Sequence, residues 1–254
     1  MRPAHHDPPT EHTRPSPLTA RSLVLCVIAF TLAAGSGVSV MAEPGEAGAR
    51  AVERFLAKSE QPLRQYRAYR RMHAWSDRLN QEAWLEAWTE LNGGRFEYQI
   101  VSERGSDGIR TKVLRSMLAH EQELVNSGGA ARADITPGNY EFGDAGRDAD
   151  GTQYVQIKPR RHDVLLVDGR MVISADGDDL LRVEGRLARN PSFWTSLVNV
   201  VRRYARVGGV RVPIATESTA KVRLAGTGQL EVFYEYESVN GRPVRPVNLT
   251  AARR

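Results

Sequence analysis

Between Val210 and Leu224 the chain alternates. Val210, Val212, Ile214, Thr216, Ser218, Ala220, Val222 and Leu224 fall on one parity, and Arg211, Ala215, Glu217, Thr219, Lys221 and Arg223 on the other. Consecutive side chains of a strand project to opposite faces, so this segment reads as a long strand with one dry and one wet face. Similar alternation recurs from Gln153 to Asn240. Strands of that kind in series build a large antiparallel sheet, and such a sheet needs something lying against its dry face.

Turn chemistry separates the other elements. Asn92-Gly93-Gly94 joins a strand carrying Trp84, Glu86, Trp88 and Glu90 on one parity to a strand carrying Phe96, Tyr98 and Ile100 on one face, which is a hairpin. Further strands are expected between Tyr66 and Leu79, over Gln153 to Lys158, and on either side of an Asp168-Gly169 turn. Leu180 to Ala188 reads as another, with Leu181, Val183, Gly185 and Leu187 on one face. The long alternating strand then returns through a hairpin around Gly226-Thr227-Gly228. Asn190-Pro191-Ser192 and the run to Tyr204 fit either a helix or a strand feeding the Gly208-Gly209 turn; a short helical turn followed by a strand is the preferred reading.

Two helices are expected. A short one carries Val52, Phe55 and Leu56, stops near Pro62 and follows a loose leader at 43–50. The clearer one starts at Asp107 or Gly108. Its Ile109, Val113, Leu114, Met117, Leu118, Glu121 and Val125 keep a 3.6-residue period as far as Gly128-Gly129. Residues 128–150, rich in Gly, Asp and Ala, read as a long loop, and Pro243 to Arg254 as a frayed tail. The sum is an α+β fold: a large curved antiparallel sheet of about nine or ten strands, a half-barrel, closed by about two helices. Apolar sheet surface that so narrow a helical stripe leaves bare would be a binding site.

The N-terminus adds a compartment. Leu23 to Leu32 is almost wholly apolar, Arg14 and Arg21 precede it, and small residues lead to Val40-Met41-Ala42 before Glu43. That pattern predicts a signal peptide at 1–42, with a single domain at 43–242 to follow. The rival is an uncleaved inner-membrane anchor at 22–42, although Gly35-Ser36-Gly37 interrupts the run short of the ~20 residues a span needs. The one cysteine, Cys26, lies inside the apolar run, so the exported chain would have no disulfide and no thiolate chemistry. Export without disulfides points to a bacterial envelope and a periplasmic location. The net charge of +5 comes from basic residues interleaved with acidic ones. That is no nucleic-acid footprint; a solvated surface or weak, transient attraction to anionic membrane are its readings.

Few motifs carry chemistry. His73, His120 and His162 contain no close ligand pair, and no HExxH, GxSxG or phosphate-loop spacing occurs. Asp176-Gly177-Asp178-Asp179 lacks the length and final Glu of an EF-hand. No cofactor, metal or catalytic residue is therefore expected. The candidate ligand-binding residues are aromatic: Trp84, Trp88, Phe96 and Tyr98, and Phe193, Trp194 and Tyr204, which either line a cavity or form ordinary core.

Several segments together resemble the periplasmic lipoprotein-carrier superfamily, the LolA/LolB-like fold that includes the first domain of RseB-like regulators. They are Glu103-Arg104-Gly105-Ser106 leading into a helix at Ile109-Arg110, Tyr154 to Arg161, Val167-Asp168-Gly169, Leu181 to Gly185, Arg211-Val212-Pro213 and Glu217-Ser218. The resemblance spans roughly residues 50–240 and consists of strand and turn patterns, with no binding motif to transfer. It implies a half-barrel closed by helices around an apolar cavity for acyl chains. A lipid carrier or sensor is the leading expectation; a module that docks an envelope protein and an enzyme acting on an envelope lipid are its competitors.

Overall fold

A computed structural model describes residues 46–58, 60–177, 179–192, 195–223 and 226–245. The expected signal segment and the aromatic pair Phe193 and Trp194 lie outside the described residues. The chain runs α1 (Glu46–Ala57), β1 (Gln65–Ser76), β2 (Gln81–Asn92) and β3 (Arg95–Gly105). A helical passage follows, made of α2 (Asp107–Ile109), a π-helical turn (Arg110–Arg115), α3 (Ser116–Asn126) and a 3-10 turn (Gly129–Ala133). The remaining strands are β4 (Tyr140–Arg147), β5 (Gln153–Pro159), β6 (Val167–Ile173), β7 (Leu180–Leu187), β8 (Thr195–Val207), β9 (Val210–Val222), β10 (Gly226–Val239) and the short β11 (Arg242–Pro243).

All the strands join one eleven-stranded sheet in the order β3-β2-β1-β10-β9-β8-β7-β6-β5-β4, with β11 beside β10. Every pairing is antiparallel, and nine of the connections are therefore hairpin-like or short. The sheet is open, with β3 at one edge and β4 at the other. The chain passes between those two edges through the helical passage, which lies over β1, β2 and β3, while α1 lies over β4 and β5.

Register defines the faces. Glu121 of α3 reaches Arg70 of β1, so Tyr66, Ala68, Arg70, Met72 and Ala74 look toward the helices. Their cross-strand partners Leu91, Thr89, Ala87, Leu85 and Ala83 share this inner face, as do Tyr236, Tyr234, Val232 and Leu230 of β10. The inner face is dry along most of its length, and one continuous core unites it with Phe55 of α1 and Leu114, Met117, Leu118 and Val125 of the helical passage. The outer face carries cross-strand ion pairs instead, such as Arg186–Asp168 and Arg203–Glu217.

Five expectations change. The loop at 128–150 contains the 3-10 turn and β4, because Ile135, Tyr140 and Phe142 have a dry face to join; a bulge between Phe142 and Ala145 hides the alternation. Asp168-Gly169 is no turn: β6 runs straight through it. Gly169 pairs with Gly185, and a Cβ on Gly169 would stand 2.1 Å from the Glu184 carbonyl oxygen, so the two glycines allow a close strand approach. The region after Asn190 becomes strand β8 from Thr195 on, and helix α1 begins within the supposed loose leader, at Glu46. Finally, the wet face of β9 is dry at first: Arg211 to Ala215 are buried, with Arg211 held by Glu60 and stacked 4.6 Å over Phe55.

Candidate functional site

The inner face beneath α3 is apolar at its margins and polar at its centre. Arg70 is 1 % exposed and makes a bidentate pair with Glu121, Nη1 to Oε2 at 2.5 Å and Nη2 to Oε1 at 2.8 Å. Its Nη2 also donates to the Tyr66 hydroxyl at 2.8 Å. The guanidinium lies 4.8 Å over the Tyr234 ring and 5.2 Å over Phe96. Burial works against the Arg70 charge, but the Glu121 carboxylate with Tyr66 and Tyr234 holds it protonated well above its ordinary value. Burial likewise lifts Tyr66 above the ordinary phenol range and pushes Tyr234 up to about 12. Tyr236 packs edge-on against Tyr66 at 5.7 Å and donates to the Pro213 carbonyl at 2.9 Å. This network ties helix α3 to the centre of the sheet. It offers guanidinium and phenol hydroxyl donors, and these tyrosines stay protonated at neutral pH.

Farther along the inner face, on β8, sits a second buried arginine. Arg202 is 6 % exposed, and no carboxylate pairs with it among the described residues. Desolvation opposes its charge; the phenols of Tyr204, Tyr234 and Tyr140 offset that and keep it protonated. Its Nε has no acceptor among the described residues. Asp134, closing the 3-10 turn, is 2 % exposed, and burial pushes its carboxyl up to about 7. Its Oδ1 receives no donor among the described residues. A separate hollow of about 20 Å³, lined by Leu63, Ile135, Leu180, Tyr204 and Val210 with the polar Glu60, Gln61 and Arg211, has room for one water. The rest of the space between sheet and helices is occupied by the chain's own side chains.

The aromatic candidates divide between the two faces. Phe96 is buried on the inner face with half-buried Tyr98 beside it, ring centroids 6.4 Å apart, and α3 clamps this strand through Asn126, whose Oδ1 accepts from the Phe96 amide at 2.7 Å. Tyr204 is also buried on the inner face, but on β8. Trp84 and Trp88 do not join them. Their neighbours Ala83, Leu85, Ala87 and Thr89 take the inner positions, so both indoles lie on the outer face. There Trp84 stacks on His73 at 4.5 Å, Trp75 covers the other side of that imidazole at 4.6 Å, and Arg104 lies 4.5 Å over Trp84. Trp88 meets Tyr69 at 5.1 Å and Arg67 at 4.4 Å. These are cross-strand stacks that stiffen the β1–β2–β3 corner.

Sequence reasoning missed Arg70, Glu121, Arg202 and Asp134 as site residues. One signal was there to be read: Glu121 falls on the apolar stripe of its helix, and a carboxylate at a dry position requires a buried cation. Comparison with protein-family models, with curated proteins and with solved structures finds no match for this chain.

Proposed function

We propose that this chain is an exported envelope protein that binds a lipidic or acylated ligand on the inner face of its open sheet, as a carrier or sensor that does no chemistry on it. The observation that carries the reading is topological. The apolar face of an eleven-stranded sheet is covered by helices, the helical passage over β1, β2 and β3 and α1 over β4 and β5, and not by a second sheet. Such a cover can lift while every strand pairing stays intact. Since the interior is filled, the ligand enters by displacing α2 and α3, and acyl methylenes replace the contacts of Leu114, Met117 and Leu118.

The magnitudes suit a ligand that is handed on. A chain of ~14 carbons contributes about 11 kcal/mol gross, and association costs ~4–15 kcal/mol before the cover is moved. Affinity is then modest by construction. The strand and turn patterns that resemble the LolA/LolB-like carriers support the same reading, as does the signal-like segment at 1–42. Among the described residues no helix is long and apolar enough to cross a membrane.

Titration with a fluorescent fatty acid, with native mass spectrometry of protein isolated from cell envelopes, tests the proposal. Saturable uptake and a co-purifying species of lipid mass are expected. A chain that carries only its own mass, takes up no probe and crosslinks in cells to one stoichiometric protein would assign the fold to protein docking instead.

A further inference from the structure

Antiparallel connectivity brings the end of β5, the start of β6, the end of β7 and the start of β8 to the same rim of the sheet. Between the connections that leave this rim lies a cleft of about 370 Å³, within the size range of small-molecule sites. Lys158, Arg160, Arg161 and Arg186 line it against a single lining carboxylate, Asp168, and His162 stands among them. Leu187 and Leu197 supply an apolar wall. The cleft lies outside the space between sheet and helices, so it is a second site, independent of the inner face.

The cations are held in place from behind. Arg160 Nε donates to the Pro137 carbonyl at 2.8 Å and the Tyr140 carbonyl at 3.2 Å, and its Nη1 to Glu141 at 3.1 Å. Arg161 donates to Asn139 Oδ1 at 2.5 Å, the Arg132 carbonyl at 2.6 Å and Asp163 at 3.3 Å. Arg186 spends only Nη2, on Asp168 at 3.1 Å. Lys158 has no hydrogen-bonding partner among the described residues, and Arg160 Nη2 and Arg186 Nε and Nη1 are also uncommitted there. His162 Nδ1 stands 3.2 Å from the Ala188 carbonyl, which can only accept, so Nδ1 carries the hydrogen and Nε2 of the neutral ring is an acceptor rather than a phosphate donor. Glu141 and Asp163 stand behind the lining, and their charges still leave the rim positive because Arg132 joins Asp163 at 2.7 Å.

We propose that this rim cleft binds a phosphate monoester, its phosphate taken by Lys158, Arg160 and Arg186 and its organic part set against Leu187 and Leu197. A phosphate monoester carries close to two charges at neutral pH and three acceptor oxygens. Fixed guanidinium forks with spare N–H groups match it better than they match a monoanion. The ester is either free in solution or the headgroup of a lipid such as phosphatidic acid.

The test is calorimetric titration of the full-length chain with glycerol 3-phosphate at low salt, and co-sedimentation with phosphatidic acid vesicles against phosphatidylcholine vesicles. Lys158→Glu and Arg186→Glu are the probes: both side chains are solvent-exposed or nearly so, and their melting temperatures serve as the folding control. Every variant keeps residues 1–45, so a difference between proteins reads the cleft. We expect one saturable site for glycerol 3-phosphate, weakened at least about tenfold by either charge reversal, the size of one lost charge-assisted hydrogen bond. Vesicle competition that depends on phosphatidic acid assigns the lipid headgroup; its absence assigns a soluble ester. No saturable binding of either probe, or equal binding by the charge-reversed chains, overturns the proposal. Fatty-acid uptake on the inner face would be unaffected by that failure.

Discussion

Two of the sheet's buried arginines, Arg70 and Arg202, are served differently. Arg70, under α3, has a bidentate carboxylate, a phenol and two aromatic faces. Arg202, on β8, has phenols but no carboxylate among the described residues, and the nearby carboxyl of Asp134 is itself pushed toward its neutral form by burial. The difference follows the helical cover. Where α3 lies over the sheet it brings its own counter-charge; no element does so at Arg202 among the described residues, although Glu60 pairs with the buried Arg211. A buried pair contributes little net stability, but breaking one partner is costly, whereas removing a lone buried cation removes a desolvation cost.

One substitution made at both places is the sharpest way to break that contrast. Arg70→Met strands the Glu121 carboxylate in the core and should cost about 3–5 kcal/mol, a fall of roughly 6–20 °C in melting temperature for a domain of this size. Arg202→Met should change stability by less than about 1 kcal/mol or raise it. Thermal denaturation of the two variants reads both. Equal losses would show that Arg202 has as good a partner as Arg70.

Asp134 sharpens the comparison through pH. Its carboxyl moves from the ordinary 3.8 up to about 7 in the folded chain, so the folded state holds a proton that the unfolded state has released. The stability this gives is full below about pH 4, falls as pH rises toward 7, and is gone above it. Asp134→Asn should flatten that limb and leave the variant more stable than the parent by about 2–4 kcal/mol at pH 8. Urea denaturation across pH 4–8 checks it, and a slope that survives the substitution would assign the proton elsewhere.

A smaller loss than that of Arg70→Met is expected on the outer face. Trp84→Ala removes a stack with His73 and Arg104 and should cost about 1 kcal/mol. It should leave fatty-acid uptake unchanged, because Trp84 faces away from the helices. Loss of uptake with normal stability would move the ligand to the outer face.

The sequence made much of this molecule legible and hid specific parts. Alternation located β1, β2, β3, β5, β7, β9 and β10, because a strand with one dry face writes its period into the chain. It failed where two periods overlap or break. A bulge scrambles β4 after Phe142, and Glu60 and Phe55 cover Arg211 on the parity that the alternation marks as wet. Asp168-Gly169 has the local chemistry of a turn, and only the partner strand shows that the glycine is needed for its missing Cβ. Trp84 and Trp88 were grouped with Phe96 and Tyr98 as aromatics, although their parity, set against Ala83, Leu85 and Ala87, already separated them. Arg202 and Asp134 left no signal at all, since their burial depends on contacts between distant segments.

Lipid entry requires α3 to be a displaceable cover, and hydrogen exchange along 107–126 tests that most directly. With a bound acylated ligand, the amides of this helical passage should change protection while the strand amides of β1 and β10 keep theirs. Unchanged exchange across 107–126 at saturating ligand, or opening of the strands in its place, would contradict it.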